Sequence, residues 1–429
     1  MTITTTTTAI WAAHRAKIFD ALAALGVSRG SAYLRGDVTV CRHSTDVELT
    51  FRQESNFFYA TGCDEPNYHL VLDISARRAT LYAPHIDNDE AVWIGAAPSL
   101  ATQATTFGMD VLPVAQMASH LAAAESVHVL EHETDANLAA LTAALVDRAD
   151  RTKLTDALTN ARMYKTADEV ALIKRANAIS SAAHVAVMKA TPTATSETEL
   201  EALFRYECHR RGAPKQAYLP IVGVGHNAAI LHYGRNTAAL HAPDVSEHAL
   251  VLVDAGCEVL NYASDITRTF PRTGKFTPEA KAIYETVLAA QDAVIAQLRA
   301  GVDWTAMHRL AERVIAQGLK DAGILRGSID EILAHHAQAV FFPHGLGHLL
   351  GLDVHDVGGK PRGSAAIDEP SIRYLRLRRV LEAGMVVTVE PGVYFVDLLI
   401  NEAKGTPAGQ FIDFDAVARY TPVGGVRIE

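Results

Sequence analysis

The sequence has 429 residues, 49% of them hydrophobic and 21% charged, with a net charge of −10 at pH 7. That length suits two domains with real cores, and the acidic balance argues against nucleic acid and anionic membranes as partners. Cys41, Cys63, Cys208 and Cys257 form no C-x-x-C pair and no disulfide framework, no apolar run reaches a membrane span, and no signal peptide is legible, so a reducing compartment, the cytoplasm, is the expected location.

In chain order, the threonine run Thr4 to Thr8 is expected to be a disordered tail. Ala12 to Leu25 has helical periodicity and stops at Gly26. Asn67 to Ile74 and Ala79 to Tyr82 read as strands, and Val114 to Ala124 and Asp135 to Leu145 as helices. Together they make a small α/β domain over residues 1–155. Thr166-Ala167-Asp168-Glu169 is a capping box that opens a helix to about Lys189. Ser196-Glu197-Thr198-Glu199 repeats the signature and opens a second helix, ending near Gly212-Ala213-Pro214. Thr277-Pro278 predicts a helix to about Ala300, and Asp303 caps another that ends near Gly323. Ala249 to Val253, Met385 to Val389 and Val426 to Ile428 read as buried strands. Residues 165–429 therefore read as an α+β domain, two pairs of helices interleaved with a mostly antiparallel sheet.

The candidate chemistry sits at strand ends. Asp254 closes Leu250-Val251-Leu252-Val253, and Asp265 follows a turn and a second extended run; either alone is an ordinary turn aspartate. Glu390 closes Met385-Val386-Val387-Thr388-Val389 and Glu429 closes Val426-Arg427-Ile428. His344, His348 and His355 fall within twelve residues, among Gly345, Gly347 and Gly351, which disfavour a zincin-type helix and suit a strand or loop presenting imidazoles. Four carboxylates and one imidazole make a hard ligand set without thiolate, suited to a pair of Mn2+, Co2+ or Zn2+ ions. Such a pair activates water and polarises a carbonyl, with the remaining histidines as proton donors or oxyanion stabilisers.

The segments DAGCEVLNYASDITRTFP, FFPHGLGHLLGLDVHDVGG, MVVTVEPGVYF and GGVRIE resemble the prolidase and aminopeptidase P family, and most closely eukaryotic prolidase and its fungal relatives. The resemblance extends to Phe51-Arg52-Gln53-Glu54-Ser55 and Ile367-Asp368-Glu369-Pro370 and covers most of the chain. It implies the creatinase or "pita-bread" fold behind an aminopeptidase P-type N-terminal domain. It also implies Asp254, Asp265, His348, Glu390 and Glu429 as ligands of two Mn2+ ions, with Co2+ or Zn2+ as alternatives, and with Asp265 and Glu429 touching both. His232, His344 and His355 resemble the family's active-site histidines, Glu390 adds a catalytic carboxylate, and His232 also resembles a substrate contact; from the residues alone His232 reads as structural. Arg376 resembles the arginine that grips a dipeptide's carboxylate, against the plain reading of a surface arginine, and Arg427 lies where prolidases keep another. Trp93 resembles a tryptophan that reaches into the partner subunit's site in family homodimers, against the plain reading of a core tryptophan.

The expected function is cleavage of the bond before proline in Xaa-Pro dipeptides. The alternative is an aminopeptidase acting on longer peptides with proline second. A metal-free scaffold is the reading from another class, and the presence of all five ligand side chains argues against it, as it does against creatinase-like hydrolysis. Family members continue past the last glutamate ligand, so a domain truncated at Glu429, with that terminal residue frayed, is the remaining expectation.

Overall fold

The computed structural model describes residues 5–141, 143–243 and 245–429. It divides into two units, Met1–Arg162 and Met163–Glu429.

The first unit is built on six strands: β1 (Ser31–Arg35), β2 (His69–Asp73), β3 (Arg78–Ala83), β4 (Asp110–Pro113), β5 (Val127–His128) and β6 (Ala149–Asp150), in the order β4-β3-β2-β1-β5-β6. The central pairs β1–β2 and β2–β3 are antiparallel and the flanking pairs parallel. The long helix is Thr5–Ala24, burying Trp11, Ile18 and Leu22. Thr5 to Thr8 are therefore helical and not a tail, while Thr4 lies outside the described residues. Threonine's helix penalty is only a few tenths of a kcal/mol per residue, and extension of a packed helix is cooperative. The Val114 to Ala124 stretch starts as a 3-10 turn after Pro113 and becomes α-helical at Met117–Ala123. The helix at Asp135 ends at Leu141, and Ala143–Arg148 is 3-10.

In the second unit the helices Ala167–Ala190, Glu197–His209, Pro278–Ile295 and Trp304–Asp321 form the two expected pairs. The Thr166/Glu169 capping box is complete. At Ser196 it is not, because the Glu199 carboxylate turns to the Thr195 backbone N–H at 2.8 Å and hydroxyl at 3.0 Å. The strands are β7 (Ile221–Val224), β8 (Leu250–Asp254), β9 (Glu258–Val259), β10 (Tyr262–Ala263), β11 (Thr267–Pro271), β12 (Gly392–Tyr394) and β13 (Gly425–Arg427). All their pairings are antiparallel, in three small sheets, β11-β8-β7, β9-β10 and β12-β13.

Met385 to Val389 differs from the expectation. It runs extended beside Leu346–Leu350, with Glu390 N–H to Leu346 O at 2.8 Å, Thr388 N–H to His348 O at 2.9 Å and Leu350 N–H to Val386 O at 3.0 Å. A regular antiparallel ladder exchanges both N–H···O bonds at each such pair. Here the Leu346 N–H goes to His308 Nδ1 at 3.2 Å and the His348 N–H to Thr388 Oγ1 at 3.1 Å. Side chains have taken half of the ladder, leaving one isolated bridge, Leu349 to Val387. Gly347 permits the close approach: a Cβ there would lie 2.1 Å from Thr388 O.

Lys165 and Asp356 form a buried ion pair at 2.7 Å, each side chain 1% exposed. Lys165→Met is expected to lower the unfolding free energy by about 3–5 kcal/mol, the cost of burying a carboxylate without its cation. Urea denaturation checks this, and a loss under about 1 kcal/mol would mean that Asp356 is satisfied without the lysine.

Candidate metal centre

Asp254 is the last residue of β8, the central strand of its sheet, and pairs in register with Thr267 on β11. Asp265 lies just before β11, where Ala255 N–H meets Ile266 O at 3.1 Å. Gly256 makes the turn between them possible, since a Cβ there would stand 1.9 Å from Ser264 O. Glu429 follows β13, its N–H bonded to Thr267 O at 3.0 Å and its Oε2 to the Thr267 hydroxyl at 3.1 Å. The fraying expected of Glu429 is thus not what the structure holds. The half-ladder beside Leu346–Leu350 brings Glu390 to His348.

The structure gathers the acidic candidates and His348. Asp265, His348 and Glu429 each offer a donor atom within 4.8 Å of one another. His348 Nε2 lies 3.3 Å from Asp265 Oδ2 and 3.3 Å from Glu390 Oε1. Asp254 joins through the Tyr218 hydroxyl, 2.5 Å from Asp254 Oδ1 and 2.6 Å from Asp265 Oδ1, and through the buried Arg427, whose Nη2 donates to its Oδ2. Tyr218 has one proton for two carboxylates, so this hydroxyl marks a place where negative charge is concentrated.

These donors fit divalent cations. His348 Nδ1 donates to Leu349 O at 3.0 Å, which orients the ring and turns Nε2 toward the carboxylates, the nitrogen that a cation would take in place of its proton. Glu429 Oε1 is buried with no hydrogen-bond partner. Burial, followed by the charges of Asp265, Glu390 and Asp254, holds the Glu429 carboxyl well above the usual range. Burial pushes Glu390 up to about 7, and burial with the Asp265 charge also raises Asp254 despite Arg427. For His348, burial opposes the charged ring, but the bond to Asp265 and the charge of Glu390 outweigh it and hold the pKa up to about 9. The same imidazolium keeps Asp265 below its ordinary value against burial. Glu390, Glu429 and the imidazole of His348 thus hold protons that cations would displace.

The other histidines ring this cluster. His344 Nδ1 donates to Gly345 O at 2.8 Å, so its Nε2 accepts the Tyr394 hydroxyl at 2.9 Å, which in turn accepts Arg427 Nη1 at 2.8 Å. Burial and then the Arg427 charge bring His344 down to about 3, a neutral ring at working pH. His355 sits at the solvent edge, edge-on to His348 with ring centroids 4.5 Å apart. Desolvation of its ring, then the charges of His348 and Arg376, lowers its pKa to about 4. His232 is exposed, beside the buried Tyr233 in the chain, and its field reaches both His344 and His355.

Arg376 is exposed and close enough to His355 to act on its charge, whereas Arg427, 4% exposed, commits its fork to Asp254, Tyr394 and Thr267. Trp93, in the first unit on the short helix Asn88–Ile94, is 87% exposed, between Val92 at 79% and Ile94 at 60%. The core reading of this tryptophan is therefore corrected. Tyr218, Tyr394 and Thr388 were not marked in the sequence: each is a single residue without a spacing signal, and only the packing brings it to the site.

Against known proteins, residues 171–429 match the profile described as metallopeptidase family M24, and residues 11–130 match the aminopeptidase P N-terminal domain. The chain belongs to metallopeptidase family M24. It is a metallopeptidase, with the pita-bread domain of that family behind an aminopeptidase P-type N-terminal domain. Among its relatives in family M24, a probable Xaa-Pro aminopeptidase of Paracoccidioides brasiliensis is 41% identical over 93% of this chain and 86% of its own length. One of Emericella nidulans is 40% identical over 97% and 91%. Aminopeptidase PepP of Pseudomonas aeruginosa superposes with a TM-score of 0.81 at 32% identity, covering 97% of this chain and 91% of that one. Zinc-substituted aminopeptidase P of Escherichia coli in complex with product gives 0.78 at 30%, over 96% and 91%. These names correspond to the alternative drawn from the sequence, the aminopeptidase, rather than to the dipeptidase. Among the described residues no helix is long and apolar enough to cross a membrane.

Proposed function

We propose that this M24 metallopeptidase is an Xaa-Pro aminopeptidase that removes the first residue from peptides with proline second, and that Asp254, Asp265, His348, Glu390 and Glu429 hold two Mn2+ ions, with Co2+ or Zn2+ as alternatives. The observation that carries the reading is the convergence of Asp265, His348 and Glu429 within 4.8 Å, at the ends of separate segments, in a chain whose relatives bear that name. When bound, the cations supply Lewis acidity to the scissile carbonyl and acidify water.

The chain's own residues supply the rest. Glu390, whose Oε1 lies 3.3 Å from His348 Nε2, is placed to take a proton and return it to the departing proline nitrogen. That nitrogen belongs to a tertiary amide without N–H, so a site that grips the free amino end and the carbonyl needs no N–H from it. His232 and His355 at the rim are the groups available to orient the carbonyl and the substrate, while His344, engaged by Gly345 O and the Tyr394 hydroxyl, positions Tyr394. The exposed Val92-Trp93-Ile94 run supports a homodimer contacted through the first unit.

The dipeptidase remains a second reading because Arg376 stands exposed beside His355, where a C-terminal carboxylate could be gripped. The test is hydrolysis of Gly-Pro-Ala and Gly-Pro with Mn2+, with and without chelator. The tripeptide is expected to exceed the dipeptide by about tenfold or more in kcat/KM, and Arg376→Ala to change the tripeptide rate less than about threefold. Chelator-sensitive cleavage of Gly-Pro alone, lost in Arg376→Ala, would establish the dipeptidase instead.

A further inference from the structure

Beneath the His344–His348 segment, the helix Trp304–Asp321 carries a buried polar chain that holds no place in the metal set. His308 is 0% exposed, and its Nδ1 accepts the Leu346 N–H at 3.2 Å, the bond that a regular ladder would have given to Glu390 O. A ring nitrogen that accepts carries no proton, so the single proton of His308 sits on Nε2, facing Glu312 Oε1 3.7 Å away. Glu312, one turn further along and 1% exposed, is held by Gln338 Nε2 at 2.9 Å and Arg309 Nη1 at 2.8 Å. Arg309 also bonds Ser371 Oγ at 2.8 Å and the Glu369 carboxylate. On its other side the His308 ring stacks on Phe342 at 5.2 Å, and Phe342 meets His344 edge-on at 5.0 Å.

We propose that His308 is a positioning residue: its imidazole acts as the missing strand partner of Leu346 and thereby aims His344 and His348. The proposal rests on the reading of His348 as a metal ligand. Glu312, fixed by Gln338 and Arg309, faces the Nε2 side of the ring and keeps the acceptor nitrogen toward Leu346.

The test compares H308N and H308L in the full chain. Asparagine presents an amide oxygen near the place of Nδ1, whereas leucine keeps bulk and offers no acceptor. Both lose the stacking on Phe342, and H308L also leaves the buried Leu346 N–H without an acceptor, so its thermal midpoint should fall further than that of H308N. The Kd for Mn2+, read by calorimetry, is expected to weaken about tenfold in H308L and less than about threefold in H308N. With Gly-Pro-Ala, kcat should follow the same split at unchanged KM. If no proline peptide is turned over by the wild-type chain, the functional reading fails while the Mn2+ titration still judges His308. Equal losses in the two variants, or none in either, would reduce His308 to packing. Should H308L fail to fold, NMR of the wild-type chain with 15N-labelled histidine decides: a proton on Nε2 of His308 supports the proposal, and one on Nδ1 overturns it.

Discussion

Replacing Glu429 with glutamine is expected to lower kcat/KM by roughly a thousandfold and, in the absence of metal, to raise the thermal midpoint of the protein. The two effects share one cause. Glu429 Oε1 is buried with no partner, and burial with three neighbouring carboxylates makes its charge costly, so its proton is held well above the usual range. An amide is neutral without taking up a proton on folding and can donate to the acids around it. Relief of about 1 kcal/mol would move the midpoint by about 2 °C or a little less in a unit of this size. Saturating Mn2+ should invert the order, since only the wild-type chain gains about 3 kcal/mol from a cation at a hundred times its Kd. A metal-free midpoint that falls in Glu429→Gln would mean that the carboxylate is a structural group, and the ligand assignment would go with it.

The affinity for Mn2+ is expected to rise about tenfold per pH unit above pH 7, levelling toward pH 9. To bind, His348 must release a proton held to about pH 9. Below about pH 7 Glu390 must release one as well, so the slope steepens there. The stability of the metal-free chain should run the other way. Glu390 is raised from 4.5 to about 7 and His348 from 6.5 to about 9, so both bind more protons folded than unfolded. Their contributions are complete below the unfolded values and are lost as pH climbs through 7 and then 9. Asp265, lowered from 3.8, has the opposite sign and acts only in strong acid. Calorimetry in two buffers of different ionisation enthalpy counts the protons released. A Kd that stays level from pH 7 to 9 would show that no imidazolium is displaced.

Three of the four acidic candidates were legible because each closes an apolar run, a pattern that survives without any knowledge of packing. Asp254, Glu390 and Glu429 all stand where the period of the strand ends. The half-ladder was not legible, because Met385 to Val389 has the composition of a regular strand, and its partners are a threonine inside the run and a histidine on a distant helix. Within Trp304–Asp321, His308 and Glu312 look like polar residues of an amphipathic helix, four apart, and nothing local says that they face inward. Tyr218 and Tyr394 reach the carboxylates through contacts 36 to 47 residues apart in sequence or through Arg427, distances over which spacing carries no signal. The threonine run misled because composition alone cannot tell a tail from the first turn of a helix whose later turns are anchored.

The bond between Thr267 and Glu429 spans 162 residues, and the one between Arg427 and Asp254 spans 173. The proposed metal site is therefore a long-range object. During synthesis Asp254 and Asp265 emerge early, but they cannot be closed into a site until β13 has been made and docked against β11. Loop-closure entropy must be overcome before any cation can repay it. On the proposed ligand set, a chain lacking residues 425–429 is expected to bind Mn2+ far more weakly, because Glu429 and the strand that carries it are gone.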